Sequence, residues 1–118
     1  EDDTSDNNPQ PITIQNDGNY EANISINASL LWGSGLGTLN TTYYQYKANY
    51  SAERESFNYA KSLTSWQNMQ SSPVSFISAL NHTDANDLIA VDIRVAVPAD
   101  ESPGIKQSTI LFTAEEAP

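Results

Sequence analysis

Within residues 20–31, apolar and polar side chains alternate without interruption from Tyr20 to Leu30. The apolar positions of this segment are Ala22, Ile24, Ile26, Ala28 and Leu30. Successive side chains of a β-strand point to opposite faces, so the alternation predicts a strand with one buried face and one solvated face. On a helix the same spacing would distribute the apolar side chains around the whole cylinder.

A second alternating segment covers residues 88–97 and ends before Pro98. Its apolar positions on one face are Ile89, Val91, Ile93, Val95 and Val97. Because β-branched residues favour extended backbone, the segment predicts a central strand. We expect its apolar face to pack in one core against the apolar face of residues 20–31.

The residues Asn16-Asp17-Gly18-Asn19 predict a tight turn, because Asp-Gly readily adopts the positive φ angles that hairpin turns need. Residues 11–15, just before the turn, predict a short first strand, and Pro11 stands where strands tolerate proline. We therefore expect residues 11–15 to pair antiparallel with residues 20–31.

Shorter apolar segments predict further strands at residues 38–50, 57–63, 66–69 and 105–114. Residues 74–80 fit either a strand or one helical turn, because Val74, Ile77 and Leu80 also share a helical face. Short strands joined by polar turns, without a long amphipathic helix, predict an all-β fold. We expect an antiparallel β-sandwich of about seven to nine strands.

The chain of 118 residues has the length of one domain with a single core. Residues 1–10 are polar, and four of the first six are acidic: Glu1, Asp2, Asp3 and Asp6. Such a composition is typical of an arm or linker. We expect an acidic arm at residues 1–10 and a sandwich domain at residues 11–118. Because the chain starts at Glu1 and not at Met, we also expect a mature or excised segment.

Charge and composition argue against several classes of partner. Five basic and fifteen acidic residues give a formal charge of −10, which repels phosphate backbones and disfavours nucleic acid as a partner. The chain has no cysteine, so disulfides, thiolate nucleophiles and cysteine-based metal sites are excluded. No apolar run approaches the roughly 20 residues of a membrane helix, so we expect no membrane insertion within this segment.

Five asparagines stand in N-glycosylation sequons: Asn23, Asn27, Asn40, Asn49 and Asn81. A glycan needs an exposed acceptor. The predicted strands place Asn23, Asn27 and Asn49 on solvated faces and Asn81 in a turn, whereas Asn40 shares the parity of an apolar face. Glycosylation would indicate a secreted or cell-surface protein, although a surface rich in Asn, Ser and Thr also produces sequons by chance.

Both ends of the domain carry recognisable patterns. The run NDGNYEANISINA from Asn16 joins a turn to the alternating strand, and VAVP at residues 95–98 is followed by PGIKQSTILFT at residues 103–113. These segments resemble the opening and closing segments of immunoglobulin-like domains in archaeal cell-surface proteins. The resemblance implies an immunoglobulin-like sandwich at the cell surface, in surface layers, adhesins or filaments. It implies no catalysis.

The residues that could carry chemistry are few. His82 is the single histidine, and alone it forms neither a zinc site nor a catalytic triad. Asp84, Asn86 and Asp87 offer oxygen ligands for calcium, but they equally suit a polar turn whose side chains bond their own backbone. No paired carboxylates stand at a catalytic spacing, so we expect no enzyme, no catalytic residue and no cofactor other than possible calcium.

Two functions from different classes remain open. In the first, the chain is an extracellular structural module that associates with itself or with neighbouring surface domains. The N-terminal arm would then donate a strand, Pro11, Ile12, Thr13 and Ile14, to the open sheet edge of a neighbour. In the second, the chain is an adhesin-type module that binds a glycan or a protein. The tyrosines that would line its groove are Tyr43, Tyr44, Tyr46, Tyr50 and Tyr59.

Overall fold

The computed structural model describes residues 11–39, 41–53 and 55–117. Within these ranges, seven strands form two antiparallel sheets, and the helical structure is short. The strands are β1 (Ile12–Gln15), β2 (Ala22–Ala28), β3 (Tyr44–Tyr50), β4 (Gln67–Asn68), β5 (Val74–Leu80), β6 (Leu88–Val95) and β7 (Ile110–Glu116). One helix, α1 (Gly35–Leu39), and three single 3₁₀ turns, at Thr41–Tyr43, Tyr59–Lys61 and Asp84–Asn86, lie between them.

The four-stranded sheet has the order β1-β6-β3-β4, and the three-stranded sheet has the order β5-β2-β7. Their apolar faces contribute to one core cluster, in which Ile24 and Ile26 of β2 join Ile89 and Val91 of β6. This confirms the predicted β-rich fold and the predicted packing of the two alternating segments. Strand β6 is central in its sheet, as expected.

Strand β3 supplies aromatic side chains to this core. Tyr44, Tyr46 and Ala48 are buried, and the ring of Tyr46 meets Phe76 of β5 edge to face, with ring centroids 5.5 Å apart. Aromatic pairs favour this geometry because the positive ring edge faces the negative ring face. Phe76 also stacks on Phe112 of β7, with ring centroids 6.1 Å apart, so these two aromatic contacts link three strands.

The predicted hairpin between residues 11–15 and 20–31 is wrong. Strand β1 pairs antiparallel with β6 in the other sheet, with Ile12 opposite Val91 and Gln15 opposite Leu88. The turn at Asn16 crosses between the sheets: its side-chain amide donates to the carbonyls of Tyr20 and Leu80, at 2.8 and 2.9 Å. Alternation identifies a strand but not its partner, because pairing depends on residues far away in the sequence.

Several predicted strand limits are also wrong. Strand β2 ends at Ala28, and Leu30 is 65% exposed; likewise β6 ends at Val95, and Val97 is 62% exposed. Instead of the strand predicted at residues 57–63 the chain makes a 3₁₀ turn, capped by Asn58, whose side chain accepts from the amide of Lys61. Asparagine favours such local bonds over sheet pairing. Residues 74–80 form strand β5, which resolves their ambiguity.

Candidate functional site

Strand β7 forms an uncovered edge of the three-stranded sheet. Among the described residues, β2 is the only strand that pairs with it, through a continuous seven-residue register from Ala22–Glu116 to Ala28–Ile110. Its side chains are only partly covered: Phe112 and Ile110 pack half-buried against the core, and Leu111 is 55% exposed. Unpaired edges with apolar side chains are templates for pairing with another chain.

The opposite edge of the same sheet is covered. Residues 58–63 run along strand β5, where the amide of Leu63 donates to the carbonyl of Phe76 and the amide of Asn58 donates to the carbonyl of Ser78, both at 2.9 Å. In the four-stranded sheet, the edge strands β1 and β4 have four and two residues. Strand β7 is therefore the longest uncovered edge in the described part of the chain.

The sequons differ in the environment of their amide groups. Asn23 is half-buried on the outer face of β2, and its Oδ1 accepts from the amide of Ala79, which has a positive φ of 56°. Asn27 donates from Nδ2 to the carbonyl of Ser71, and its Oδ1 is buried without a hydrogen-bond partner among the described residues. Both amides therefore belong to the local structure of the sheet. Asn40 lies outside the described residues.

Asn49 and Asn81 also take part in hydrogen bonds, but in different ways. The Nδ2 of Asn49 donates to Asp92 on β6 at 2.9 Å. The Oδ1 of Asn81 accepts from the amides of His82 and Thr83, at 2.7 and 3.1 Å, which forms an Asx turn. His82 and Thr83 are exposed, as predicted for a polar turn.

The three candidate calcium ligands have different surroundings. Asp84 is exposed in the 3₁₀ turn Asp84–Asn86, whereas Asp87 is fully buried and its Oδ2 accepts from Gln15 at 3.4 Å. The amide of Asp87 is held by the carboxylate of Glu53, at 3.0 Å. Within residues 11–39, 41–53 and 55–117, no group of three or more His, Cys, Asp or Glu side chains is arranged to hold a metal ion.

The candidate tyrosines do not form one exposed groove. Tyr44 and Tyr46 are buried in the core, and Tyr43 is half-buried. Tyr50 and Tyr59 stack on each other with ring centroids 4.8 Å apart, and only Tyr59 of this pair is exposed. The alternation along β3 places Tyr44 and Tyr46 on its core face, as it does for any amphipathic strand.

Two acidic residues fasten helix α1 to the loop before β7. The carboxylate of Glu101 accepts from the amides of Gly33 and Ser34, at 3.1 and 2.9 Å, and Asp100 accepts from the amide of Leu36 at 3.1 Å. These bonds satisfy backbone donors that would otherwise be orphaned at the start of the helix. The sequence pattern did not identify this contact, because the partners lie more than sixty residues apart.

Hydrogen bonds lower the pKa of both carboxyl groups. The hydrogen bond from the Leu36 amide lowers the pKa of the Asp100 carboxyl, since it stabilises the charged form. The hydrogen bond from Lys106 is the main cause that lowers the pKa of Glu101. Both carboxyl groups are therefore charged at neutral pH, and in this form they accept the hydrogen bonds that hold the helix in place.

The outer face of the four-stranded sheet brings two cations to one indole ring. The ammonium nitrogen of Lys47 lies 4.8 Å from the ring centroid of Trp66, and the guanidinium carbon of Arg94 lies 4.6 Å from it. Cations are attracted to the face of an aromatic ring by its quadrupole. We call Lys47, Trp66 and Arg94 together the Trp66 surface.

Polar neighbours hold the Trp66 surface in position. Arg94 donates to Gln45, the residue opposite it on β3, and Gln45 donates to Asn68 at 2.9 Å. Lys47 lies 3.9 Å from the carboxylate of Asp92, the residue opposite it on β6. The alternation along each strand puts Lys47 and Arg94 on the outer face of the sheet, but only the register of the strands brings them to Trp66.

None of the helices in the described ranges is long and apolar enough to cross a bilayer. Comparison of the chain with protein-family models, with curated proteins and with solved structures gives no match.

Proposed function

We propose that this chain is a non-catalytic structural module of an extracellular surface layer or filament, with an immunoglobulin-like sandwich and N-linked glycans. The observation that carries the proposal is the uncovered edge of strand β7, with its partly exposed apolar side chains Ile110, Leu111 and Phe112. The proposed contact adds a strand of a neighbouring copy or domain to this edge. The resemblance of the chain ends to archaeal surface domains supports the proposed location.

A contact of this kind is weak for one pair of modules. Pairing along a seven-residue strand forms about six backbone hydrogen bonds, each worth a net of about 1 kcal/mol. The loss of translational and rotational freedom costs at least about 4 kcal/mol. The remaining stabilisation, about 2 kcal/mol, corresponds to a dissociation constant of about 30 mM. Assembly would therefore depend on many modules held close together at a surface.

The test is a charge placed on the edge. We expect Thr113→Lys to weaken self-association, because a lysine on an edge strand opposes pairing with a further strand. Ser75→Lys is the matched control: Ser75 and Thr113 are both exposed and both stand opposite Ser25, on either side of β2. Because a single contact of this strength populates few dimers even at about 1 mM protein, the association is measured between chains tethered densely to a surface, by energy transfer between fluorophores on neighbouring chains.

Two results would contradict assembly through β7. One is the absence of association between unmodified chains that are tethered densely to a surface. The other is an equal loss of association in Thr113→Lys and Ser75→Lys, since the edge of β5 is covered by residues 58–63.

Strand donation by Pro11, Ile12, Thr13 and Ile14 stays a prediction. Strand β1 pairs with β6 of its own chain, so donation would require β1 to be exchanged between copies. An assembly that tolerates Thr113→Lys but disappears on deletion of residues 1–15 would favour donation over the β7 contact. The glycan-binding alternative loses its tyrosine groove, because Tyr44 and Tyr46 lie in the core.

A further inference from the structure

The Trp66 surface carries an excess of positive charge on a strongly acidic protein. Lys47 and Arg94 converge on one ring, and Asp92 is the acidic residue that contacts Lys47 there. The chain as a whole has a net charge of −10. Two cations close together repel each other, so a further carboxylate beside them is favourable. The geometry of the guanidinium also suits a carboxylate, since its donors form a planar fork.

Strand β1, which follows the acidic end of the chain in sequence, begins close to this surface. Strand β1 is antiparallel to β6 and its first residue, Ile12, lies opposite Val91, so the N-terminal end of β1 points in the direction of Arg94. Arg94 is three positions beyond Val91, which is about 10 Å along a strand. Asp6 stands six positions before Ile12, within a reach of roughly 20 Å.

We propose that the acidic segment of residues 1–6, with Glu1, Asp2, Asp3 and Asp6, binds to the Trp66 surface of its own chain. Residues 1–10 lie outside the described residues, and the argument rests on their charge, their length and the position of Ile12. The tether makes this contact intramolecular, so that even weak ion pairs are populated. An anionic ligand would then have to displace the segment from Lys47 and Arg94. The contact does not depend on assembly through β7.

The experiment compares two double substitutions, each of which neutralises two carboxylates, in the chain of residues 1–118. NMR of the ¹⁵N-labelled protein in about 20 mM salt follows the indole N–H of Trp66. We expect Asp3→Asn with Asp6→Asn to shift this resonance, and Glu115→Gln with Glu116→Gln to leave it unchanged. The second pair removes the same number of carboxylates at the end of β7, in the other sheet.

Further readouts separate binding from a general change of fold or charge. The indole N–H of Trp32 is an internal reference, since that side chain is buried and donates to the carbonyl of Tyr43. Raising the salt to about 0.5 M shortens the Debye length to roughly 4 Å and should move the Trp66 resonance to its position in the Asp3→Asn, Asp6→Asn protein. In the reverse test, Arg94→Gln should shift the amides of residues 1–6, whereas Lys61→Gln should not.

Several outcomes would overturn the proposal. The first is a Trp66 resonance that does not respond to Asp3→Asn with Asp6→Asn at low salt. The second is an equal response to the Glu115 and Glu116 substitutions, which would indicate a nonspecific effect of net charge. The third is a shift that grows with protein concentration, which would assign the contact to a second copy of the chain.

Discussion

We expect the substitution Gly37→Ala to destabilise the domain, because Gly37 lies in helix α1 where the helix packs against Trp32 and Pro98. A Cβ atom at this position would lie 2.4 Å from the Cβ of Trp32 and 3.0 Å from the Cγ of Pro98. Non-bonded carbon atoms prefer separations of about 3.5–4.0 Å. Trp32 has little freedom to move, because it is buried and its indole donates to the carbonyl of Tyr43 at 3.1 Å.

Two opposing effects determine the size of the change. Overpacking of a filled site costs about 1–3 kcal/mol, and the severe overlap with Trp32 argues for the upper end of that range. Alanine in place of glycine favours a helix by about 1 kcal/mol, which offsets part of the cost at Gly37. We expect a net loss of about 2 kcal/mol in the free energy of unfolding. For a domain of this size the melting temperature should fall by about 8 °C.

Thermal and urea unfolding of Gly37→Ala and Gly35→Ala measure this difference. Gly35 is the matched control in the same helix: a Cβ there would lie 3.7 Å from Asp100 Oδ2, an ordinary contact. We expect Gly35→Ala to leave the free energy of unfolding unchanged or to raise it by up to about 1 kcal/mol, because no overlap opposes the helix preference of alanine there. A Gly37→Ala protein as stable as the unmodified chain, or an equal loss in both variants, would refute the close approach of α1 to Trp32 as the cause.

Two further predictions concern pH and glycosylation. The folded-state pKa values of Asp100 and Glu101 lie below the ordinary values of 3.8 and 4.5, so their stabilisation is complete above those values and is lost as pH falls through the lowered pKa. Urea midpoints should therefore decline below about pH 4.5, and less steeply in Asp100→Asn; an unchanged slope would contradict the role of these bonds. In a secretory host that N-glycosylates proteins, glycopeptide mass spectrometry should find Asn81 occupied and Asn27 unoccupied. The atom that carries the glycan is Nδ2, which in Asn27 donates to the carbonyl of Ser71, whereas Asn81 uses its Oδ1 for the Asx turn. Thr83→Ala should abolish occupancy at Asn81, and a glycan at Asn27 would contradict the assignment.

The local pattern was sufficient where a strand has one buried face. Alternation in residues 22–28 and 89–93 reflects a direct physical requirement, since each residue of a strand must face either the core or the solvent. The same rule correctly placed Asn49 on the outer face of β3. It was less reliable at strand ends, where Leu30 and Val97 continue the alternation beyond the last sheet pairing and are exposed.

The candidate site was harder to predict, because its contacts join distant parts of the chain. The sequons at Asn23 and Asn27 were identified from three-residue motifs, but a motif does not reveal that their amides bond to Ala79 and Ser71. The approach of Lys47 and Arg94 to one indole likewise needs the register of β3 against β6. A shift of one residue would send these side chains to the opposite face.

The amino-acid sequence by itself determined the class of this protein: a cysteine-free, acidic, β-rich domain whose two strongest strands share one core. These properties follow from composition and from the two-residue period of a strand, which need no knowledge of partners. Only the tertiary structure decided that β1 joins β6 and that β7 is left as an open edge. The reason is that strand pairing is settled by competition between segments far apart in the chain, and a local pattern is compatible with more than one outcome of that competition.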